Sequence, residues 1–348
     1  MKLILHEVAL PMRRIFRIAH GQTTVQTNLL VELRDEAFAG YGEGAPLDYY
    51  GITARSMRDT LESARDQIES VAWTRPEELW DQMLPSLGDN RFALCALDEA
   101  AYDLWGKKRG EPVYKLLGLK LDRIPFSNYT VGIDTVENMV ANLKEFPDWP
   151  IYKIKLGTPD DLRIVRELRR HTAAIFRVDA NCAWTTRQTI KNGPELKSLG
   201  VELIEQPLPA DDWDGMKRLY AESGLPPIIA DESCLVEEDV ERCHGFFHGI
   251  NIKLTKAGGL TPARRMIDHA HALGMEVMVG CMYETSVGIS AIAQLLPLLE
   301  YVDMDGAHLL AKDIATGVRV ERGRAIFPNE NGNGVQLLPF EERVECSH

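Results

Sequence analysis

The sequence predicts an α/β protein, a modified TIM barrel of the (β/α)7β type with an N-terminal α+β capping domain that the C-terminal tail completes. Three observations lead there. From about Ile124 onward, short apolar runs end near Tyr129, Lys153, Asp179, Glu205, Asp231, Lys253, Val279 and Asp303, spaced roughly 22 to 26 residues apart. Segments with helix-cap signals separate them. After the eighth run no strong helical pattern follows. Strand plus helix, repeated until eight strands are counted, is the signature of a closed parallel barrel; an open doubly wound sheet is the alternative.

The elements follow in order. Residues about 2–10 and 28–34 read as strands joined through "RIAHGQTTVQ". "GYGEGAP" at Gly40–Pro46 contains a G-x-G, but no strand-turn-helix accompanies it, so it is a very weak dinucleotide fingerprint. Helical patterns dominate from about Ala54 to Leu117, and the longest, "ALCALDEAAYDLWGKKRG", closes at Gly110. In the barrel, "TPDDLRIVRELRRH" predicts Thr158 as N-cap with Pro159 at the first helical position. "TPARRMIDHAHALG" predicts the same for Thr261 and Pro262, with a stop at Gly274. Beyond Asp305, "GVRVERGRAIF" reads as a hairpin turning at Arg322–Gly323, in a tail expected to return to the first domain. The expected boundaries are 1–122 for the cap, 123–312 for the barrel and 313–348 for the returning segment.

Composition narrows the function. The chain has 348 residues, 45% of them hydrophobic, enough for a sizeable core. A net charge of −13 and the lack of a basic stripe argue against nucleic acid. No apolar run is long enough to span a bilayer, and "MKLILHEVALPMRR" is too polar for a signal core, so a soluble cytoplasmic protein is expected. Cys95, Cys182, Cys234, Cys243, Cys281 and Cys346 are scattered without a C-x-x-C pair, which disfavours structural zinc and a disulfide framework.

The polar residues at the run ends carry the chemistry. In such barrels these ends meet at one mouth. Asp179, Glu205 and Asp231 would stand on adjacent strands there, and three like charges repel unless a cation neutralises them. An all-oxygen donor set without histidine suits Mg²⁺. Lys155 on the second strand and Lys253 on the sixth would face each other across the mouth. Lys153, in "YKIKLG", shares a strand face with Lys155 and is expected to lower its pKa toward neutrality as a like charge. Two amines on opposite sides of one carbon suit removal of a proton α to a carboxylate and its return to the other face. Lys256 is expected to lie beyond its strand. Asp303 and Asp305, in "DMDG", suit a substrate ammonium.

Together "KIK", "VDAN", "IEQP", "ADES", "NIKLTKAGG" and the late D-x-D resemble the enolase superfamily, muconate-lactonizing subgroup, and within it the dipeptide epimerases, founded on L-Ala-D/L-Glu epimerase. The resemblance covers nearly the whole chain. It implies Mg²⁺ on Asp179, Glu205 and Asp231. It implies Lys155 and Lys253 as the two acid/bases of a 1,1-proton transfer through a metal-stabilised enediolate. It implies Lys153 on the substrate carboxylate and Asp303 and Asp305 on the dipeptide ammonium. The centre inverted is the α-carbon of the C-terminal residue. The family also implies a homo-oligomer. In the L-Ala-Glu enzymes a basic residue of the first loop holds the glutamate side chain. Here Gly21 aligns with that position, beside His20, while Arg17 belongs to the preceding strand. Tyr49 and Tyr50 of the second loop and Tyr283 after the seventh strand would make the pocket aromatic, suited to a neutral or hydrophobic dipeptide. Asp48 leaves a basic side chain open. An o-succinylbenzoate synthase, an N-succinylamino acid racemase or a cycloisomerase would use the same lysines. A non-catalytic barrel binding metal or peptide would be expected to have lost one of the five catalytic positions, and all five carry the required residue type.

Overall fold

A computed structural model describes residues 1–339. The first 44 residues form an antiparallel sheet of β1 (Lys2–Ile18), β2 (Gly21–Asp35) and β3 (Phe38–Gly44), in that order. The connection expected as a loop is instead a continuation of the first two strands, paired out to Phe16↔Thr23 and Ile18↔Gly21. The reason is a period of two: Phe16 is buried between exposed Ile15 and partly exposed Arg17. Five helices follow: α1 (Ala54–Ser63), α2 (Arg65–Ser70), α3 (Pro76–Leu87), α4 (Arg91–Arg109) and α5 (Val113–Leu116). α4 ends on Gly110 at φ 72°, as its sequence predicts.

Then come β4 (Tyr129–Val131), α6 (Val136–Glu145), β5 (Ile151–Lys155), α7 (Asp161–Arg169), β6 (Ile175–Asp179), α8 (Thr186–Ser198) and β7 (Val201–Glu205). These are followed by α9 (Trp213–Tyr220), β8 (Ile228–Ala230), α10 (Glu237–Cys243), β9 (Gly249–Lys253), α11 (Leu254–Ala257), α12 (Leu260–Ala272) and β10 (Glu276–Gly280). α13 (Ser286–Ala293), β11 (Tyr301–Asp303) and the single turn α14 (Gly306–Leu309) close the series. β4 to β11 form one parallel eight-stranded sheet in chain order, and a bridge between Ser127 and Val302 joins its two edges. Apolar side chains of the strands and helices fill the layer between them, with Phe176, Val178, Ile204, Ile250 and Ile252 fully buried. The eighth helix is one turn long, in line with the (β/α)7β pattern.

Two helix starts differ from their sequence signals. α7 begins at Asp161, not behind Thr158: the Asp161 carboxylate accepts from Gly157 N at 3.0 Å and Thr158 N at 2.8 Å, drawing the preceding loop back onto itself. α12 begins at Leu260, and Thr261 is held by the other domain. Asp98 of α4 accepts from Thr261 N at 2.9 Å and from its Oγ1 at 2.8 Å. The cap arrives from 163 residues away, so local sequence cannot announce it.

α4 is the element on which the two parts meet. It packs against β3 on one side and against α11, α12 and α13 on others. Gly40 and Gly42 allow the β3 contact, since a Cβ on Gly42 would stand 2.1 Å from Ala96 O. The C-terminal tail reaches α4 and α5 as well. After β12 (Ala315–Thr316), β13 (Arg319–Glu321) and β14 (Arg324–Ile326) make the expected hairpin, with Arg322 and Gly323 at φ 48° and 77°. Asn333 N then donates to Asp103 at 2.8 Å and Val113 N to Gly332 O at 2.9 Å, before β15 (Gln336–Leu337) pairs with β12. Cys346 and the end of the expected third segment lie outside the described residues; the other five cysteines are free thiols.

Asp98 gives this junction a pH dependence. Burial pushes its carboxyl up to about 8, against the pull of the Thr261 bonds. A carboxyl raised in the folded state favours folding at low pH, and that contribution fades as pH rises from 3.8 through about 8. Asp98→Asn should therefore flatten the fall in melting temperature between pH 5 and 8, measured by calorimetry. An unchanged slope would mean that Asp98 titrates alike in both states. His248 and His308, whose imidazoles burial pulls down, act in the opposite sense in both proteins and cancel in the comparison.

Candidate active site

The parallel register lines the polar residues up. Lys155 pairs with Asp179, and Asp179 with Glu205, at the C-terminal ends of β5, β6 and β7. On the other side of the ring Lys253 pairs with Gly280, and Gly280 with Asp303. Asp231 follows the last residue of β8. One oxygen from each of Asp179, Glu205 and Asp231 lies within 4.8 Å of the others, and all three residues are fully buried.

The expected lysines meet these carboxylates directly. Lys155 Nζ donates to Asp179 Oδ2 at 2.6 Å, and Lys253 Nζ to Asp231 Oδ2 at 2.7 Å. Lys153 Nζ sits lower, 2.7 Å from Asp303 Oδ2, 2.7 Å from Glu205 Oε2 and 3.2 Å from Asp179 Oδ2. Burial does pull the Lys153 amine down, but Asp303, Glu205 and Asp179 outweigh it and hold it well above its ordinary range. Lys253 is raised in the same way, by Asp231 against burial. Lys153 is thus a balanced charge at the base of the site.

The carboxylates divide by their partners. Burial opposes the ionised form of Asp231, yet Lys253 and Lys256 hold it well below the carboxylate range; Lys155 and Lys153 likewise outweigh burial at Asp179 and lower it. Glu205 is pushed up to about 8 by burial first and Asp179 second. Its Oε1 accepts from Asn251 Nδ2 at 2.8 Å, and its buried Oε2 has, among the described residues, a single ion-pair partner, Lys153 Nζ at 2.7 Å. Three buried carboxylates, each with an oxygen within 4.8 Å of the others, are a cation-seeking arrangement. The donor set is all oxygen, which fits Mg²⁺ and not a thiophilic metal.

Asp303 and Asp305 are drawn together, though not as neighbours on one strand. β11 ends at Asp303, and Asp305 precedes α14. Asp303 accepts from Asn128 Nδ2 at 2.7 Å in addition to Lys153; Asp305 accepts from Thr130 N at 2.5 Å and Thr130 Oγ1 at 3.2 Å. Asp303 is held at about 2, where Lys153 outweighs burial, while burial and the Asp303 charge push Asp305 well up.

The three lysines and the Asp303–Asp305 pair line one cleft of about 670 Å³, part of it open to solvent, with the carboxylate triad behind its wall, bonded to those lysines. Its wall includes Lys153, Lys155, Lys253, Asp303, Asp305, His20, Tyr50 and Tyr283, together with Phe16, Ile18, Leu47, Tyr49 and Met282. His20, at the turn between β1 and β2, stacks on Tyr49 at 5.5 Å, and Tyr49 meets Tyr50 edge-on at 5.0 Å. Tyr283 meets Phe16 edge-on at 5.5 Å. Arg17 turns away, to Gln22 and Asp134, while Gly21 and Asp48 line an outer groove that shares His20, Tyr49 and Tyr283 with the cleft.

Three residues of the site escape the sequence reading. Lys256 lies beyond its strand as expected, but α11 is a single turn ending at Gly258 and Gly259, with φ 104° and 122°, and this turns the amine back into the site. Lys256 Nζ bonds to Asp231 Oδ1 and, at 2.7 Å, to Asp231 O. The double glycine of "KAGG" was the available signal. Gln206, at φ 34°, accepts from Asp231 N at 2.9 Å and Ser233 N at 3.1 Å, so it sets the backbone that carries Asp231. Glu232 lines the cleft beside Asp231, with Asn181 Nδ2 3.3 Å from its Oε1, and burial followed by the Asp231 charge pushes it up to about 7.

Comparison with known proteins agrees with this geometry. Residues 1–118 match the family described as mandelate racemase / muconate lactonizing enzyme, N-terminal domain, and residues 135–341 match the enolase C-terminal domain-like family. The chain belongs to the mandelate racemase / muconate lactonizing enzyme family. An L-Ala-D/L-amino acid epimerase of Flavobacterium johnsoniae is 52% identical to this family member over 97% of this chain and 100% of the relative. A hydrophobic dipeptide epimerase of Roseobacter litoralis is 35% identical over 96% and 98%. Among solved structures, a dipeptide epimerase from Cytophaga hutchinsonii, complexed with Mg and the dipeptide D-Ala-L-Val, superposes with a TM-score of 0.91 at 25% identity, covering 98% of this chain and 96% of that one. Among the described residues, no helix is long and apolar enough to cross a membrane.

Proposed function

We propose that the protein is a Mg²⁺-dependent dipeptide epimerase acting on neutral or hydrophobic dipeptides. The observation that carries this reading is the placement of Lys155 and Lys253 at the ends of β5 and β9, across the mouth of the barrel, with the carboxylate triad between them. Asp179, Glu205 and Asp231 are the residues that hold Mg²⁺. When bound, the ion supplies the positive charge that competes for these carboxylates and balances the substrate carboxylate. Lys155 and Lys253 serve the two faces of the α-carbon of the C-terminal residue, one taking the proton and the other returning it. Lys153, at the base of the site, is the residue assigned to the substrate carboxylate, its amine held in place by Asp303 and Glu205. Asp303 and Asp305 receive the N-terminal ammonium.

The cleft wall supports the substrate class. His20, Tyr50, Tyr283 and their apolar neighbours offer contact area to an uncharged side chain, and Arg17 stays outside the cleft. The names of the relatives, an L-Ala-D/L-amino acid epimerase and a hydrophobic dipeptide epimerase, point the same way. An N-succinyl substrate would bring a second carboxylate against Asp303 and Asp305, which disfavours the succinylamino acid racemase and o-succinylbenzoate synthase alternatives. The same reading takes residues 1–122 as the cap, 123–312 as the barrel and 313–348 as the returning segment, in a cytoplasmic homo-oligomer.

A dipeptide library incubated in D₂O with Mg²⁺ tests the proposal by mass spectrometry. One unit of mass gain is expected for dipeptides with neutral or hydrophobic C-terminal residues. Efficient exchange of L-Ala-L-Glu, with none of the hydrophobic dipeptides, would overturn the assigned class.

A further inference from the structure

The segment "GYGEG", no dinucleotide fingerprint, has a structural use. Gly40 and Gly42 of β3 lie against the backbone of α4, and Glu43, between Gly42 and Gly44, is fully buried. Glu43 Oε2 accepts from Thr285 N at 3.0 Å, Thr285 Oγ1 at 2.7 Å and Gly288 N at 3.1 Å. These groups form the start of α13 in the barrel. Glu43 Oε1 accepts from Asn28 Nδ2 at 2.7 Å, and the same nitrogen donates to Tyr283 O at 2.8 Å. A carboxylate and an amide of the capping sheet therefore grip, at both ends, the short loop that carries Tyr283 into the cleft.

We propose that Glu43, with Asn28, is a positioning residue that sets the width of the substrate side-chain pocket by holding the Tyr283 loop against the cap. Tyr283 packs on Phe16, which also comes from the capping sheet. The pocket wall is thus fixed through hydrogen bonds that cross from one domain to the other. A helix start deprived of its acceptor leaves buried N–H groups unpaired, and the loop before it shifts to find partners. Glu43 touches neither the lysines nor the carboxylate triad, so its effect falls on side-chain discrimination more than on proton transfer.

The inference rests on the epimerase reading, and its test separates the two. Glu43→Ala, Glu43→Gln and Asn28→Ala are assayed with L-Ala-L-Ala and L-Ala-L-Phe, and amide exchange is followed at Thr285 and Gly288. Glu43→Ala should raise KM for L-Ala-L-Phe about tenfold more than for L-Ala-L-Ala, with kcat for L-Ala-L-Ala changed by less than about threefold. Glu43→Gln keeps an acceptor for Thr285 and Gly288 and should recover most of the loss. Asn28→Ala should show the same bias toward the small dipeptide, which keeps the test decisive if Glu43→Ala does not fold. Equal losses on both dipeptides, or unchanged amide exchange at Thr285 and Gly288 in Glu43→Ala, would overturn the positioning role. Failure of the unaltered protein to exchange any dipeptide overturns the epimerase reading, while amide exchange still decides whether Glu43 holds the loop.

Discussion

Lys155→Ala and Lys253→Ala should each lower epimerisation about 10²- to 10⁴-fold, the range expected when a positioned acid or base is removed. The two losses should differ in kind. Each lysine faces one side of the α-carbon, so each variant should keep solvent deuterium exchange on one epimer and lose it on the other. The two variants should keep opposite epimers. Measuring exchange on both epimers of one dipeptide, variant by variant, reads this out. Full exchange on both epimers in both variants would remove the two-base account. The geometry behind the expectation is specific: each amine is bonded to a different carboxylate, Lys155 to Asp179 and Lys253 to Asp231. Neither lysine can stand in for the other without crossing the site.

Glu205→Gln should separate function from stability. Glu205 is the triad member that lysine does not pull down: burial and Asp179 push its carboxyl up to about 8, although Lys153 Nζ lies 2.7 Å from its Oε2. With its folded pKa above 4.5, the ionised form costs stability that is absent below pH 4.5 and grows as pH rises toward about 8. The neutral amide has no such cost. At pH 8, without metal, Glu205→Gln should melt at or above the temperature of the unaltered protein. It should also lose activity by about 10²- to 10³-fold, the scale of losing one electrostatic contact to the developing charge. The rise in melting temperature on adding Mg²⁺ should shrink with it. Calorimetry with and without Mg²⁺ measures both quantities. A variant that is less stable than the parent without metal would show that Glu205 is held by its neighbours, not strained by them.

Much of this site was legible because barrel topology turns sequence period into spatial convergence. Asp179, Glu205 and Asp231 recur about 26 residues apart, and a repeated strand-helix unit brings each recurrence to the same mouth. Lys155 and Lys253 follow from the same arithmetic. Lys256 and Gln206 did not, because their side chains reach the site by a one-turn helix and by a left-handed backbone position, and neither carries a periodic signal. The start of α12 departs from its local signal for a related reason. "TP" is a good local start, but Asp98 offers Thr261 two hydrogen bonds from another domain, and these outweigh the local preference.

The sequence by itself determined the barrel, its count of strands and the identity of the charged residues at its mouth, since hydrophobic period and residue type are local properties of the chain. Tertiary structure decided how those charges balance. Lys153 is one i+2 step from Lys155 in sequence and was expected to act on it. In the folded chain Asp303, from the last strand of the barrel, and Glu205 each lie 2.7 Å from the Lys153 amine and neutralise it. Charge interactions depend on distance through space and on burial, and neither is a property of sequence spacing. The grip of Glu43 on the Tyr283 loop belongs to the same class: residues 43 and 285 meet only once two domains have folded against each other.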